Sequence, residues 1–358
     1  MKRLTRDHVH HAFSPSKAPA IHVQQNETFI VETLDCFGGI VTPQNPSADP
    51  PYETLNPVTG PIYIQGAEPG DILAVEIHDI VPEGVGVARY GTTEGQLAHL
   101  VRSCNHCTRF FDLDDGNVNV TMRECDNGNK RIAPISFPAS PMLGVVGVAP
   151  EGDADVSVPT MPAGSHGGNL DDRYNRKGSI IYLPINQPGA LLSVGDMHAS
   201  QGDGEICGTG VEIRGTVWLS CRIIKKDEVA PLLSSSFESP SSPCLFPVTE
   251  TENHWHTHGV TVENIPGATT LACEEAARLL VGQWGFTPED AFIFLSVKGN
   301  LGLCQSCHPD TGTQIARMSV PKIEACPRPF RCLYEETVDT VDKYEESKMN
   351  SYEIHSEL

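Results

Sequence analysis

The sequence predicts a mainly β protein with a smaller α+β portion and few helices. Three observations carry that expectation. Glycine and proline are both abundant, 32 and 28 of 358 residues, which favours many turns between short elements. Apolar residues recur with period two in several segments, the pattern of strands with one buried face. One such unit also occurs twice. GPIYIQGAEPGDILAVEI and GSIIYLPINQPGALLSV align Ile62 with Ile181, Tyr63 with Tyr182, Gly70 with Gly189, Leu73 with Leu192 and Val75 with Val194 at a constant offset. Two copies are too few for a solenoid, so the unit is expected to be a repeated hairpin module.

In chain order, AIHVQQNETFIVE predicts strand, turn, strand, and the two repeated units predict hairpins with turns at Pro69–Gly70 and Pro188–Gly189. Phe29, Val31, Glu32 and Asp35 weakly echo Leu73, Val75, Glu76 and Asp79. RGTVWLSCRIIK over 214–225 reads as a further strand. The Ser/Pro-rich run over 232–246 predicts an exposed loop. A helix is expected over 270–284, with Thr270 as N-cap, Ala272, Ala276, Leu279 and Leu280 at helical spacing, and Gly285 as its stop. Thr287-Pro288-Glu289-Asp290 predicts a short capped helix. AFIFLSVKGNLG then returns to strand. The expected organisation is a β-rich portion over 1–230 carrying the site, an α+β portion over 231–337 completing the same unit, and an acidic tail over 338–358.

The formal net charge of −21 argues against partnership with nucleic acid or an anionic membrane. No apolar run approaches the ~20 residues of a membrane span, and the basic start lacks the apolar stretch of a secretory signal. A cytoplasmic location is therefore expected, with the 12 cysteines reduced.

Two clusters carry chemistry. HGGNLDDR places His166, Asn169, Asp171 and Asp172 on glycines. GDMHASQGDGE places Asp196, His198, Gln201, Asp203 and Glu205 within ten residues. In extended chain Asp196 and His198 share a face, as do Asp203 and Glu205. Carboxylates and an imidazole on glycine-rich turns can hold a divalent cation, zinc where histidine contributes and calcium or magnesium as the carboxylate share rises. The plainer alternative is a pair of solvated acidic turns. Other features compete. Cys207 could be a thiolate nucleophile or a small buried hydrophobe. The pairs Cys104/Cys107 and Cys304/Cys307 could each supply half of a zinc site. His254, His256 and His258 would share one face of a strand, as a metal site or as an exposed polar face. No nucleophile elbow, P-loop or dinucleotide fingerprint is present.

The segments HGGNLDDR, IIYLPI, PGALLSVGDMHASQGDGEICGTGVE and NPVTGPIYIQGAEPGDILAVEI together resemble the acetamidase/formamidase family, and the likeness runs from about residue 9 to 322. The resemblance implies a jelly-roll-like β-sandwich with an α+β portion. It implies hydrolysis of a small amide, formamide- or acetamide-like, to a carboxylate and ammonia. It also implies a homo-oligomer and a bound divalent metal, zinc first and calcium second. Carried over by position, Asp171 and His198 are the expected metal ligands. Glu205 is the expected acid/base or a further ligand, and His166 an additional ligand. Asn169, Asp196, Gln201 and Asp203 would shape the pocket. Alternatives at this point are a non-enzymatic metal- or ligand-binding protein on the same scaffold, a thiol amidase using Cys207, and a lactam hydrolase.

Overall fold

Strands dominate from the first residues onward, as the period-two pattern requires. The computed structural model describes residues 1–91, 95–101, 106–121, 134–228, 247–307 and 312–324. The Ser/Pro-rich run and the acidic tail lie outside them.

The strands form a large, mostly antiparallel curled sheet that folds onto itself as two layers. The first layer is built around Glu212–Ile224, which pairs with Phe29–Thr33 on one side and Ile72–Gly91 on the other. Ile72–Gly91 continues the layer to Ile180–Pro184, then Val248–Glu250, His254–Thr261, Gln314–Pro321 and Asn300–Gln305. The second layer holds Ile21–Val23, Val58–Ile64, Leu192–His198, Met142–Gly147 and Gly167–Asn169. The layers join where His198 pairs with Glu212. Inward residues of both, among them Phe29, Val31, Ile62, Leu73, Val75, Val194 and Val217, make one buried core. This is the mainly β, jelly-roll-like architecture expected.

The repeated units are not hairpins. Val58–Ile64 does not pair with Ile72–Gly91, nor Ile180–Pro184 with Leu192–His198. Each unit is an arch whose two strands lie in different layers, and the copies exchange strands. Ile181 pairs with Val75 of the first copy, and Leu192 pairs with Ile62. The turns exchange bonds as well, Gly70 N–H donating to the Ile185 carbonyl and Gly189 N–H to the Ala67 carbonyl. An arch buries both strands on opposite sides of one core, which hairpin pairing would not allow. Gly189 is required here. It sits at φ +76°, and an added Cβ would fall 2.2 Å from the Tyr63 ring.

A second core lies between the first layer and two helices. The helix expected over 270–284 spans Ile265–Trp284. Its N-cap is Asn264, whose side chain accepts from Gly267 N–H, with proline in the first turn. Ile-Pro-Gly reads locally as a turn, yet proline is tolerated there because first-turn N–H groups need no helical partner. Gly285 ends the helix in the left-handed region, as expected. The next helix corrects the sequence reading. Thr287 caps it, but it runs through Pro288–Lys298 rather than giving way to strand at Ala291. AFIFLSV is rich in strand formers, but Ala291 and Leu295, one turn apart, are its buried residues, and that contact sets the conformation.

The segment HCTRFFDLDDGNVNV forms a hairpin, His106–Asp114 and Asn117–Val120, around Asp115-Gly116 at φ +46° and +74°. No described helix is long and apolar enough to cross a membrane.

Candidate active site

Both glycine-rich clusters end at one place, where the two layers join. Leu192–His198 delivers Asp196 and His198, the head of Glu212–Ile224 delivers Glu212, and the turn after Gly167–Asn169 delivers Asp171. Glu205 enters from the loop between Leu192–His198 and Glu212–Ile224. All five side chains are buried.

The hydrogen bonds follow one plan. Gln305 Nε2 donates to Asp171 Oδ2 at 2.6 Å, leaving Oδ1 without a partner. Asn56 Nδ2 donates to Asp196 Oδ2 at 3.2 Å, leaving Oδ1 free. Gly210 N–H donates to Glu212 Oε1 at 2.8 Å, leaving Oε2 free. Gln201 Nε2 donates to the carbonyls of Asp171 and Cys304, so its Oε1 accepts from His198 Nδ1 at 2.7 Å. That bond fixes the imidazole and leaves Nε2 unpartnered. The free atoms converge: His198 Nε2 lies 3.1 Å from Glu212 Oε2, 3.4 Å from Asp196 Oδ1 and 3.9 Å from Asp171 Oδ1.

Four carboxylates around one imidazole, with no described lysine or arginine paired to them, are electrostatically unstable as they stand. Burial and the neighbouring Asp196 push Asp171 up to about 8. Burial pushes Glu212 up to about 7, against the pull of His198. Burial and Asp171 raise Glu205 well above the usual carboxylate range. Burial disfavours charge on His198, but Glu212 and Asp196 outweigh it and hold its proton affinity well up. The cluster thus holds either protons or a cation.

A divalent cation fits the donors. The orphaned buried oxygens of Asp171, Asp196 and Glu212 all lie within 3.9 Å of the orphaned Nε2 of His198, and each ligand's other polar atom is anchored. Gly144 makes room for them, since a Cβ there would sit 2.5 Å from Asp196 Oδ2 and 2.6 Å from Asp171 Oδ1. The expected triad Asp171, His198 and Glu205 also has ligand atoms within 4.8 Å of one another, as do Cys36, Asp196 and Glu212.

Some expected residues stand elsewhere. Asp203 does not line the pocket with Glu205; its carboxylate takes two bonds from Arg317. Positive φ at Gly204 (88°) and Glu205 (43°) breaks the extended geometry that would have put both on one face. His166 is not drawn into the cluster. Its ring packs edge-on against Phe13 at 5.1 Å, and burial pushes it down to about 4. Gln201 positions His198 rather than lining the cavity. The Cys207 thiol donates to the Thr209 carbonyl and lies off the cavity lining. Cys104 lies outside the described residues, while Cys304 sits beside Asp172 and His258. The NHWHTHG histidines are not an exposed face. His256 and His258 are buried, and His256 stacks on Tyr174 at 4.2 Å. His258 Nε2 meets Asp172 Oδ2 at 2.8 Å, and Arg317 completes that pair.

Glu212 and Gln305 carry no role in the sequence reading. Glu212 ends the segment PGALLSVGDMHASQGDGEICGTGVE, so a signal existed. Gln305 beside Cys304 gave none.

The cluster forms the floor of a cavity of 430 Å³ that Asn169, Asp171, Asp196, Glu205, Glu212 and Gln305 line. Residues 2–155 and 130–304 match the Acetamidase/Formamidase family. The chain belongs to that family. Among its relatives, the acetamidase of Mycolicibacterium smegmatis is 26% identical over 352 residues, 80% of this chain and 84% of that one. The formamidase of Methylophilus methylotrophus is 27% identical over 270 residues, 61% of this chain and 64% of its own length. The match to that curated relative therefore spans less than two thirds of it. The crystal structure of the acetamidase from Bacillus halodurans superposes with a TM-score of 0.74 at 30% identity, covering 89% of this chain and 97% of that one.

Proposed function

We propose that the protein hydrolyses a small-molecule amide to a carboxylate and ammonia at the cavity floor. The observation that carries this reading is the convergence of four unpartnered buried atoms from Asp171, Asp196, His198 and Glu212 on one point beside an open cavity, in a chain of the acetamidase/formamidase family. Those residues would hold a divalent cation. One imidazole among carboxylates suits zinc first, with calcium or manganese as the carboxylate share is high. Bound there, such a cation supplies Lewis acidity toward a carbonyl oxygen or a water.

Glu205 is the acid/base. It lines the cavity, and its raised proton affinity suits a carboxylate that takes a proton from attacking water and passes it to departing nitrogen. Gln305 Nε2 lies 3.5 Å from Glu205 Oε2 and steers it. Asn169 presents an unpartnered Oδ1 to the cavity and accepts an N–H of the substrate amide.

Two measurements test this: ammonia release from short amides and metal content by mass spectrometry. Glu205→Gln should lose on the order of 10²–10⁴ in kcat while keeping its metal. Turnover close to the parent protein would remove Glu205 from the mechanism. Undiminished turnover after exhaustive chelation would remove the cation.

A further inference from the structure

The cavity is much larger than formamide or acetamide requires. Even at about 30 Å³ per non-hydrogen atom, the share of one water in the liquid, acetamide's four such atoms take roughly 120 Å³. The cavity measures 430 Å³. Besides the carboxylates, its lining carries an apolar set, Phe37, Pro51, Tyr52, Leu55 and Met161.

This apolar wall is held by built features. Asp35 Oδ1 accepts from the N–H groups of Phe37 and Gly39, fixing the turn that carries Phe37. Pro51 begins a 3-10 turn over Tyr52–Thr54, in which Thr54 N–H donates to the Pro51 carbonyl. Arg89 is the basic side chain on the lining, and it is committed. It donates to the Pro46 and Ala48 carbonyls and to Thr108, and its guanidinium lies over the Phe37 ring at 5.4 Å. The described wall therefore offers no spare cation to an anionic tail, and Asp49 would repel one.

We propose that the preferred substrate is an amide whose carbon side is an uncharged apolar group of about phenyl size, seated against Phe37, Leu55 and Met161 with Tyr52 at the mouth. An amide of ten non-hydrogen atoms takes roughly 300 Å³ by the same measure and fits with its amide at the carboxylate floor. The inference rests on the hydrolase reading above and sharpens it.

The test compares kcat/KM for ammonia release from formamide, acetamide, butyramide, phenylacetamide and succinamate with the full-length protein. The expected gain is about fourfold per buried methylene from acetamide to butyramide. Phenylacetamide should exceed acetamide by on the order of 10- to 100-fold, and anionic succinamate should fall below butyramide. Highest kcat/KM with formamide or acetamide would overturn the pocket assignment and leave the hydrolase reading standing. Ammonia from none of the five would overturn both. Leu55→Trp should lower the phenylacetamide-to-acetamide ratio at least tenfold, and Met161→Phe gives the same readout if the first variant does not fold. An unchanged ratio in a folded variant places the acyl group elsewhere.

Discussion

Asp171, Asp196 and Glu205 all sit at positive φ, between 43° and 54°. Such backbone is unfavourable for residues with a Cβ, and persists where the surroundings over-determine it. Here it aims the carboxylates. Asp196 holds its left-handed φ of 54° inside the strand Leu192–His198, with its Oδ1 3.4 Å from His198 Nε2. The glutamines do equivalent work from behind. Gln305→Leu leaves Asp171 Oδ2 without its donor and should cost about 10- to 100-fold in metal affinity. Competition with a chromogenic chelator measures it, and unchanged affinity would show that Asp171 is held by other means. The two clusters were legible in the sequence from residue type and spacing, and the family resemblance singled out Asp171 and His198 within them. Gln305 was not, because its partner is 134 residues away and a lone glutamine carries no local signal.

The arch is the element that places the site. Its second copy ends in Asp196 and His198, so its position sets theirs. Gly189→Ala would strain a left-handed turn and press on the Tyr63 ring, costing about 2 kcal/mol or more. A urea midpoint unchanged from the parent would show that the arch tolerates the shift. The repeat was visible in the sequence, but its pairing was not. Two apolar runs joined by Pro-Gly fit a hairpin or an arch equally well, and only the partner strands from the other copy distinguish them. The full length of the helix Pro288–Lys298 was missed for a related reason. Local propensity favoured strand, while packing of Ala291 and Leu295 favoured helix.

Across the molecule, buried charge couples the site to pH. Asp171 and Glu212 have folded values of about 8 and about 7, above unfolded values near 4. Between those limits the metal-free fold binds more protons than the unfolded chain. Its stabilisation from these groups is full below about pH 4 and is lost as pH rises through 7 to 8. A cation takes the place of those protons. The stability gap between metal-loaded and chelated protein should therefore widen from about pH 4 to pH 8, by up to about 1.4 kcal/mol per unit for each carboxylate, and level off above pH 8. Buried neutral groups outside the cluster, such as His10 and His256, act alike in both forms and cancel. A gap independent of pH would contradict proton–cation exchange at this cluster.

The sequence by itself determined the β class, the repeated unit and the two glycine-borne clusters. These are recorded in local periodicity and in spacing along the chain. Only the tertiary structure decided which acids share the floor. It brought in Glu212 across the layer junction, turned Asp203 out to Arg317, left His166 against Phe13, and gathered apolar side chains into the same cavity as the carboxylates. Each of those outcomes depends on contacts between distant segments and on backbone turned to positive φ, and neither is written in the spacing of residues.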